Sequence, residues 1–269
     1  MSRLFGLFIL FVVPLFASEP IIIMLSHPRS LSTVFERVIR EREDVIVLHE
    51  PFTYLYYLDH LSDSEESATF DSAFPNSYEE MKKFIRDLSQ TKPVFIKDMG
   101  FAAMDRLCSD ETFTSDPNIH FMVLMRDPIK SLPSLYQIEP NCDLMFLGYE
   151  SLARVSEQLK IEYYLDADEL EADLVVSYAR FCERFHLPYL SKALHFTHPP
   201  AWEGKWYVHL NDSVAIEKSA RIYRRNAEGD PLFEEIDCTD REKWLEFYRH
   251  ERPFYDQLTE MKIKFAAFN

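Results

Sequence analysis

Glycine is scarce in this chain. Its 269 residues include only 5 glycines, where ordinary usage of ~7% would give roughly 19. That excludes collagen-like repeats and a glycine-rich dinucleotide loop. Positive charge is also short: Lys and Arg number 29 against 45 Asp and Glu, a formal net charge of −16. A general nucleic-acid binder tracks phosphates with a basic surface, so no nucleic-acid partner is expected. A small basic pocket is compatible with that balance. The four cysteines, Cys108, Cys142, Cys182 and Cys238, include no CxxC pair, which argues against a zinc knuckle, and no metal is expected. Export would permit one or two disulfides, but spacing assigns no pairing. Cys182 sits among Tyr178, Phe181 and Phe185 at helical spacing and reads as core.

Hydrophobic residues are 47% of the chain, enough for a sizeable core. Arg3 is the only charge before Glu19, and Leu4 to Phe16 is an uncharged apolar run followed by small residues at Ala17 and Ser18. These are the parts of a secretory signal, expected to span residues 1–17 and to be cleaved after Ala17. An uncleaved N-terminal anchor is the alternative. The run is shorter than the ~20 residues that cross a bilayer. Residues 18–269 then read as one α/β domain in an exported protein, secreted or periplasmic/lumenal.

Apolar runs at 21–25, 45–48, 94–96, 121–125 and 163–165 alternate with helical patterns. Such alternation predicts three layers, a central, mainly parallel sheet flanked by helices. Helices are expected from the SHPRSLST segment to about Arg42, from Ser77 to about Gln90, from about Glu171 to Phe185, and from Arg241 to about Lys262, with Pro253 kinking or splitting the last. Residues 59–77 read as a long loop and DADELEAD at 166–173 as a solvated acidic face. Trp202, Lys205 and Trp206 read as core or as a pocket wall. His195, His198 and His209 have no metal-ligand spacing.

Four predicted strands end in polar groups: Ser26-His27-Pro28-Arg29, His49-Glu50, Lys97-Asp98 and Arg126-Asp127. Open α/β sheets bind ligands at these ends, which suggests one shared pocket. The first loop reads as an anion cradle. A strand, a tight turn and a helix start aim free N–H groups at one point, with Arg29, Ser30, Ser32 and Thr33 adding donors. The Walker pattern is absent, lacking both glycines and the lysine. Arg126 and Ser134 lie across a second turn and helix start, in reach of one phosphate.

The ordered set HPRSLST, HEPF, KDM and RDP…PSLY, at 27–33, 49–52, 97–99 and 126–136, resembles the sulfotransferase superfamily over roughly residues 21–140. The resemblance implies a P-loop-like fold and a co-substrate, 3′-phosphoadenosine 5′-phosphosulfate, whose sulfuryl group passes to a hydroxyl or amine of an acceptor. It places the 5′-phosphosulfate on Arg29, Ser30, Ser32 and Thr33, and the 3′-phosphate on Arg126 and Ser134. Leu31 stands where that motif often has glycine, which affects how closely backbone and phosphate approach. Some sulfotransferases carry a catalytic glutamate near the position of Glu50, which makes Glu50 the candidate base; the competing reading is a carboxylate beside a helix start. His49 and Asp98 are the further catalytic candidates, next in line as base, although His49 should point the opposite way if strand alternation persists. Lys97 either stabilises the leaving oxygen or pairs with Asp98, and Lys130 reads as a solvated helix residue. Other classes stay open: a nucleotide-dependent kinase or phosphotransferase on the same fold, or a non-catalytic nucleotide-binding protein.

Material exported from a secreting host is expected to begin at Ser18, or within a residue or two, by intact-mass measurement. Full-length chain in the soluble cytoplasm would show that residues 1–17 are not a working signal.

Overall fold

A computed structural model describes residues 18–61, 74–137, 139–196 and 238–268. The expected leader, most of the expected loop at 59–77, His198, His209 and the 202–206 segment lie outside the described residues. Five strands form the sheet: β1 (Ile21–Ser26), β2 (Ile46–His49), β3 (Val94–Met99), β4 (Ile119–Met125) and β5 (Ile161–Asp166). All neighbours pair in parallel, in the order β2-β3-β1-β4-β5. This is the expected layered α/β architecture. Parallel strands covered on both faces read as near-continuous apolar runs, which is why β1 and β4 stood out in the sequence. Strand β3 continues beyond the expected end at Ile96 through Lys97, Asp98 and Met99.

Alternation along the strands feeds two cores. Ile21, Ile23, Leu25, Val94, Ile96 and Val123 face α2 (Pro51–Leu61), α4 (Gly100–Ser109), α7 (Tyr149–Gln158) and α10 (Cys238–Phe268). Ile22, Met24, Phe95, Met122 and Leu124 face α1 (Ser32–Arg40) and α9 (Leu174–Arg184). Cys182 lies in this second core, as expected, and Arg42 donates to its Sγ at 3.3 Å. Cys108, Cys142 and Cys182 are free thiols.

Several element boundaries differ from expectation, each for a local reason. Residues 51–61, PFTYLYYLDHL, form α2 and shorten the expected loop. Their apolar side chains surround the helix instead of forming a stripe, so no periodic signal announced it. Asp173 interrupts the expected 171–185 helix. Its side chain accepts from the N–H of Val176 and starts α9 afresh, leaving the acidic run on its own short helix α8 (Ala167–Ala172). Pro253 does not split α10, which runs continuously past it. The lost backbone bond, worth ~3 kcal/mol, is offset by burial of Tyr255 and Leu258 beside it. Between these, α3 (Tyr78–Leu88) starts where Ser77 accepts from the N–H of Glu80, α5 (Glu111–Thr114) follows α4, and α6 (Pro128–Tyr136) follows β4.

The position of β1 matters most. The chain moves to one side of it for β2 and β3 and to the other for β4 and β5, so β1 and β4 flank a topological switch point. Ligands of open α/β sheets bind in the crevice that opens there. The residues that follow these two strands are His27 and Arg126.

Candidate functional site

The loop from His27 to Leu31 turns sharply into α1, using two left-handed residues, Arg29 (φ 62°) and Leu31 (φ 67°). Each costs ~1–2 kcal/mol in a residue with a Cβ. Leu31 is the N-cap of α1 and gives it no side-chain cap, and the first turn holds no acid. The leading N–H groups and the positive end of the helix therefore remain available to an anion. Ser30 is fully buried and its Oγ has no hydrogen-bond partner. Ser32 is also buried, while Thr33 is partly exposed. Arg29 Nε donates to Ser134 Oγ at 3.0 Å, joining the first loop to α6. Burial and the neighbouring Arg126 lower the pKa of Arg29.

Arg126 is buried across the crevice. Its Nη1 donates to the carbonyl of Arg29 at 3.1 Å and its Nη2 to Glu171 at 2.7 Å, while Nε has no partner. His27 holds the two loops together. Its Nε2 accepts from the backbone N–H of Arg126 at 2.9 Å, and its Nδ1 donates to the Pro28 carbonyl at 2.9 Å. Burial pushes the imidazole down to about 3, with Arg126 adding to the shift, so it is neutral at physiological pH and can accept that bond. Tyr149 stacks on the ring at 4.0 Å and donates to the Arg126 carbonyl at 3.0 Å. Sequence reasoning placed His27 at the polar end of the first strand without giving it a part, and did not single out Tyr149; both hold the two loops in position.

A second group forms where β2 and β3 end. His49 and Lys97 are register partners on one face. Glu50 was expected to point away from His49, but its backbone is left-handed (φ 52°), which breaks the alternation and turns its carboxylate back. Lys97 Nζ pairs with Glu50 Oε1, and His49 Nε2 lies 3.7 Å from the same oxygen. On the other side of His49, its Nδ1 lies 2.7 Å from Glu36 Oε2, and Glu36 Oε1 receives Arg40 at 2.8 Å. Burial alone would raise the Glu36 carboxyl, but His49, Arg40 and Lys97 hold it below its ordinary value. Lys97 is 1% exposed. Burial pushes it down to about 8, opposed by Glu36 and Asp98. Glu36 was missed, although its place four residues after the buried Ser32 puts it on the inner face of α1.

Asp98 points to the opposite face from Lys97, so the expected alternative of a Lys97–Asp98 pair gives way to the Glu50 pair. The Asp98 carboxylate accepts from the N–H groups of Phe52 (2.7 Å), Thr53 (3.0 Å) and Met99 (2.8 Å) and from the Thr53 hydroxyl (2.6 Å). It thereby tethers the start of α2 to β3. Burial raises it to about 6 despite these bonds.

The acidic run is not a free solvated face. Glu171 binds Arg126, and Lys130, expected to be solvated, pairs with Asp168 at 2.6 Å and Glu171 at 3.6 Å. Asp166 caps α8, and Glu169 takes Lys262 at 2.6 Å. The structure thus assembles Arg29, Ser30, Arg126 and Ser134 after β1 and β4, and Glu50, His49 and Lys97 at the ends of β2 and β3. Among the described residues no group of three or more metal-ligating side chains occurs, and no helix is long and apolar enough to cross a membrane.

No protein-family profile matches the chain. It is 26% identical over 204 residues to branched-chain-amino-acid aminotransferase-like protein 2 of Arabidopsis thaliana, a match covering 71% of this chain and 35% of that one. The match therefore takes in about a third of that relative's length. Among solved structures, it is similar to the sulfotransferase domain of the Synechococcus PCC 7002 olefin synthase, at 12% identity and a TM-score of 0.46, covering 93% of this chain and 96% of that one. A sulfotransferase from Alicyclobacillus acidocaldarius matches at 11% and 0.46, covering 91% and 96%. The sulfotransferase domain of the curacin biosynthetic pathway matches at 14% and 0.41, covering 65% and 77%.

Asp98→Ala strands two buried backbone N–H groups and a buried hydroxyl at the start of α2, and the part-buried N–H of Met99 at the end of β3. It is expected to lower unfolding free energy by ~2–4 kcal/mol in denaturant titration. A change below ~1 kcal/mol would contradict the tethering role.

Proposed function

We propose that the chain is a sulfotransferase that uses 3′-phosphoadenosine 5′-phosphosulfate and passes the sulfuryl group to a hydroxyl or amine acceptor. The carrying observation is the cradle at the switch point, where the buried Ser30 Oγ and Arg126 Nε both lack partners. Buried polar atoms are normally satisfied, so one orphan at the uncapped start of α1 and another facing it across the crevice fit an anionic ligand. Arg29, Ser30, Ser32 and Thr33 would hold the 5′-phosphosulfate. Arg126 and Ser134 would hold the 3′-phosphate. The donor supplies an activated sulfuryl group whose bond to the 5′-phosphate oxygen breaks as the acceptor's bond to sulfur forms.

Glu50 is the proposed base, taking the acceptor's proton, because it is the least enclosed carboxylate of its cluster and is held ready by Lys97. Lys97 supplies positive charge as negative charge gathers on the leaving oxygen. His49 orients Glu50 while Glu36 fixes the imidazole. Asp98 has a structural part in this scheme, holding α2 behind Glu50. Export through residues 1–17 belongs to the same proposal and places the acceptor outside the cytoplasm.

Calorimetry should show tighter binding of adenosine 3′,5′-bisphosphate than of AMP. Arg126→Ala should cost ~2–5 kcal/mol of bisphosphate binding, as expected when one partner of a buried charge contact is removed. Equal affinity for the two nucleotides would remove the 3′-phosphate site.

Turnover gives a separate check. Glu50→Gln should slow it ~10²–10⁴-fold with nucleotide affinity little changed; near-normal turnover would exclude Glu50 as the base. With Lys97 titrating at about 8, transfer should decline as pH rises through that value. Stability should move the other way. Between about 8 and the ordinary lysine value of 10.5, the unfolded chain binds the extra proton, so the folded state gains as pH rises. A rate constant flat from pH 7 to 9.5 would contradict a charged Lys97 in the transfer step.

A further inference from the structure

A cleft of about 940 Å³ opens on the face of the sheet away from Lys97, between α2, α4, α7 and α10. It meets the cradle at one point: a Cβ at Gly148 would stand 3.6 Å from that of His27. Its volume lies in the range of small-molecule sites. One wall is aromatic and thioether, built from Tyr56, Phe101, Met104 and Met145. Tyr56 packs edge-on against Phe101 at 5.5 Å, and Met145 is 60% exposed at the rim.

The charges of the cleft do not cancel. Its two arginines are each matched to a carboxylate in the wall, Arg106 to Asp59 and Arg154 to Glu150. That leaves Asp105 and Glu251. Asp105 is exposed and has no ion-pair partner among the described residues. Glu251 is 2% exposed; its Oε1 lies 3.0 Å from His250 Nδ1, while its Oε2 is buried with no hydrogen-bond partner. An unsatisfied buried carboxylate oxygen costs ~1–3 kcal/mol or more, and a cationic donor in the cleft would relieve it. Burial raises the Glu251 carboxyl, opposed by His250 and by the N–H of Glu150. A cation in the cleft would act in the same direction as those two contacts and favour the ionised carboxylate further.

We propose that this cleft binds a small molecule bearing a protonated amine on an aromatic or aliphatic body. Its ammonium meets Glu251 Oε2 and the faces of Tyr56 and Phe101, and its body rests on Met104 and Met145. The same wall disfavours anions, since Asp105 adds negative charge that neither arginine of the wall matches. The site stands on its own geometry and does not depend on the transferase reading.

The test compares three probes of one shape, 2-phenylethylamine, 2-phenylethanol and phenylacetate, by calorimetry or ligand-observed NMR on the full chain. The amine is expected to bind at least tenfold tighter than the alcohol, with the acid weakest. Glu251→Gln should abolish the preference for the amine, and Asp105→Asn, at an exposed position, should reduce it about twofold to threefold. Amine and alcohol binding equally, no amine binding, or a preference that survives Glu251→Gln would each overturn the proposal. Adenosine 3′,5′-bisphosphate titrated into the same samples separates the two readings: its failure to bind would sink the transferase assignment and leave the amine site standing.

Discussion

The bond from the Arg126 backbone to the ring of His27 joins the loops that follow β1 and β4, and the rest of the candidate site depends on it. It requires an imidazole without a proton on Nε2. Complete burial ensures this by holding the ring neutral, and the Pro28 carbonyl fixes the tautomer by taking the Nδ1 proton. Parallel pairing of β1 with β4 brings the two strand ends side by side. The ring then locks them, with Tyr149 stacked behind it and bonded to the next carbonyl. Arg126 can lie across the crevice because its backbone is held from one side and its guanidinium from the other.

A chain with a net charge of −16 builds this cationic site by giving its key cations internal counter-charges. Arg126 has Glu171, Lys130 has Asp168, Lys97 has Glu50, and Arg40 has Glu36. Buried cations without such partners would be strongly destabilising. The partners differ in burial: Glu36 is fully enclosed, whereas Glu171 sits on the short helix α8 at the edge of the crevice. A phosphate reaching Arg126 competes with Glu171 for the same guanidinium. The acidic excess thus shapes the ligand site as well as the surface.

The strands and the turn into α1 were legible in the sequence because they follow simple rules: apolar runs for strands covered on both faces, and a hydroxyl-rich turn before a helix. Three features were not. Helix α2 is apolar all round, so its period was hidden. Glu50 adopts a left-handed backbone without being glycine, and that one torsion breaks the alternation that should have set His49 and Glu50 on opposite sides, so both meet Lys97. Glu36 passed unnoticed and the acidic run looked like ordinary surface charge, since nothing local shows that a carboxylate's partner lies on a distant element. Cap and turn chemistry is written in adjacent residues; long-range charge pairing is set by the packing of elements far apart in the chain.

The central claim is that the cradle and Arg126 together grip one doubly phosphorylated nucleotide. Its most direct test is a crystal structure of the chain soaked with adenosine 3′,5′-bisphosphate. The account predicts the 5′-phosphate over the start of α1, within hydrogen-bond distance of Ser30 Oγ, and the 3′-phosphate on Arg126 and Ser134, with Glu171 displaced. Electron density with the nucleotide reversed, placed elsewhere, or leaving the Arg126–Glu171 pair intact would contradict it.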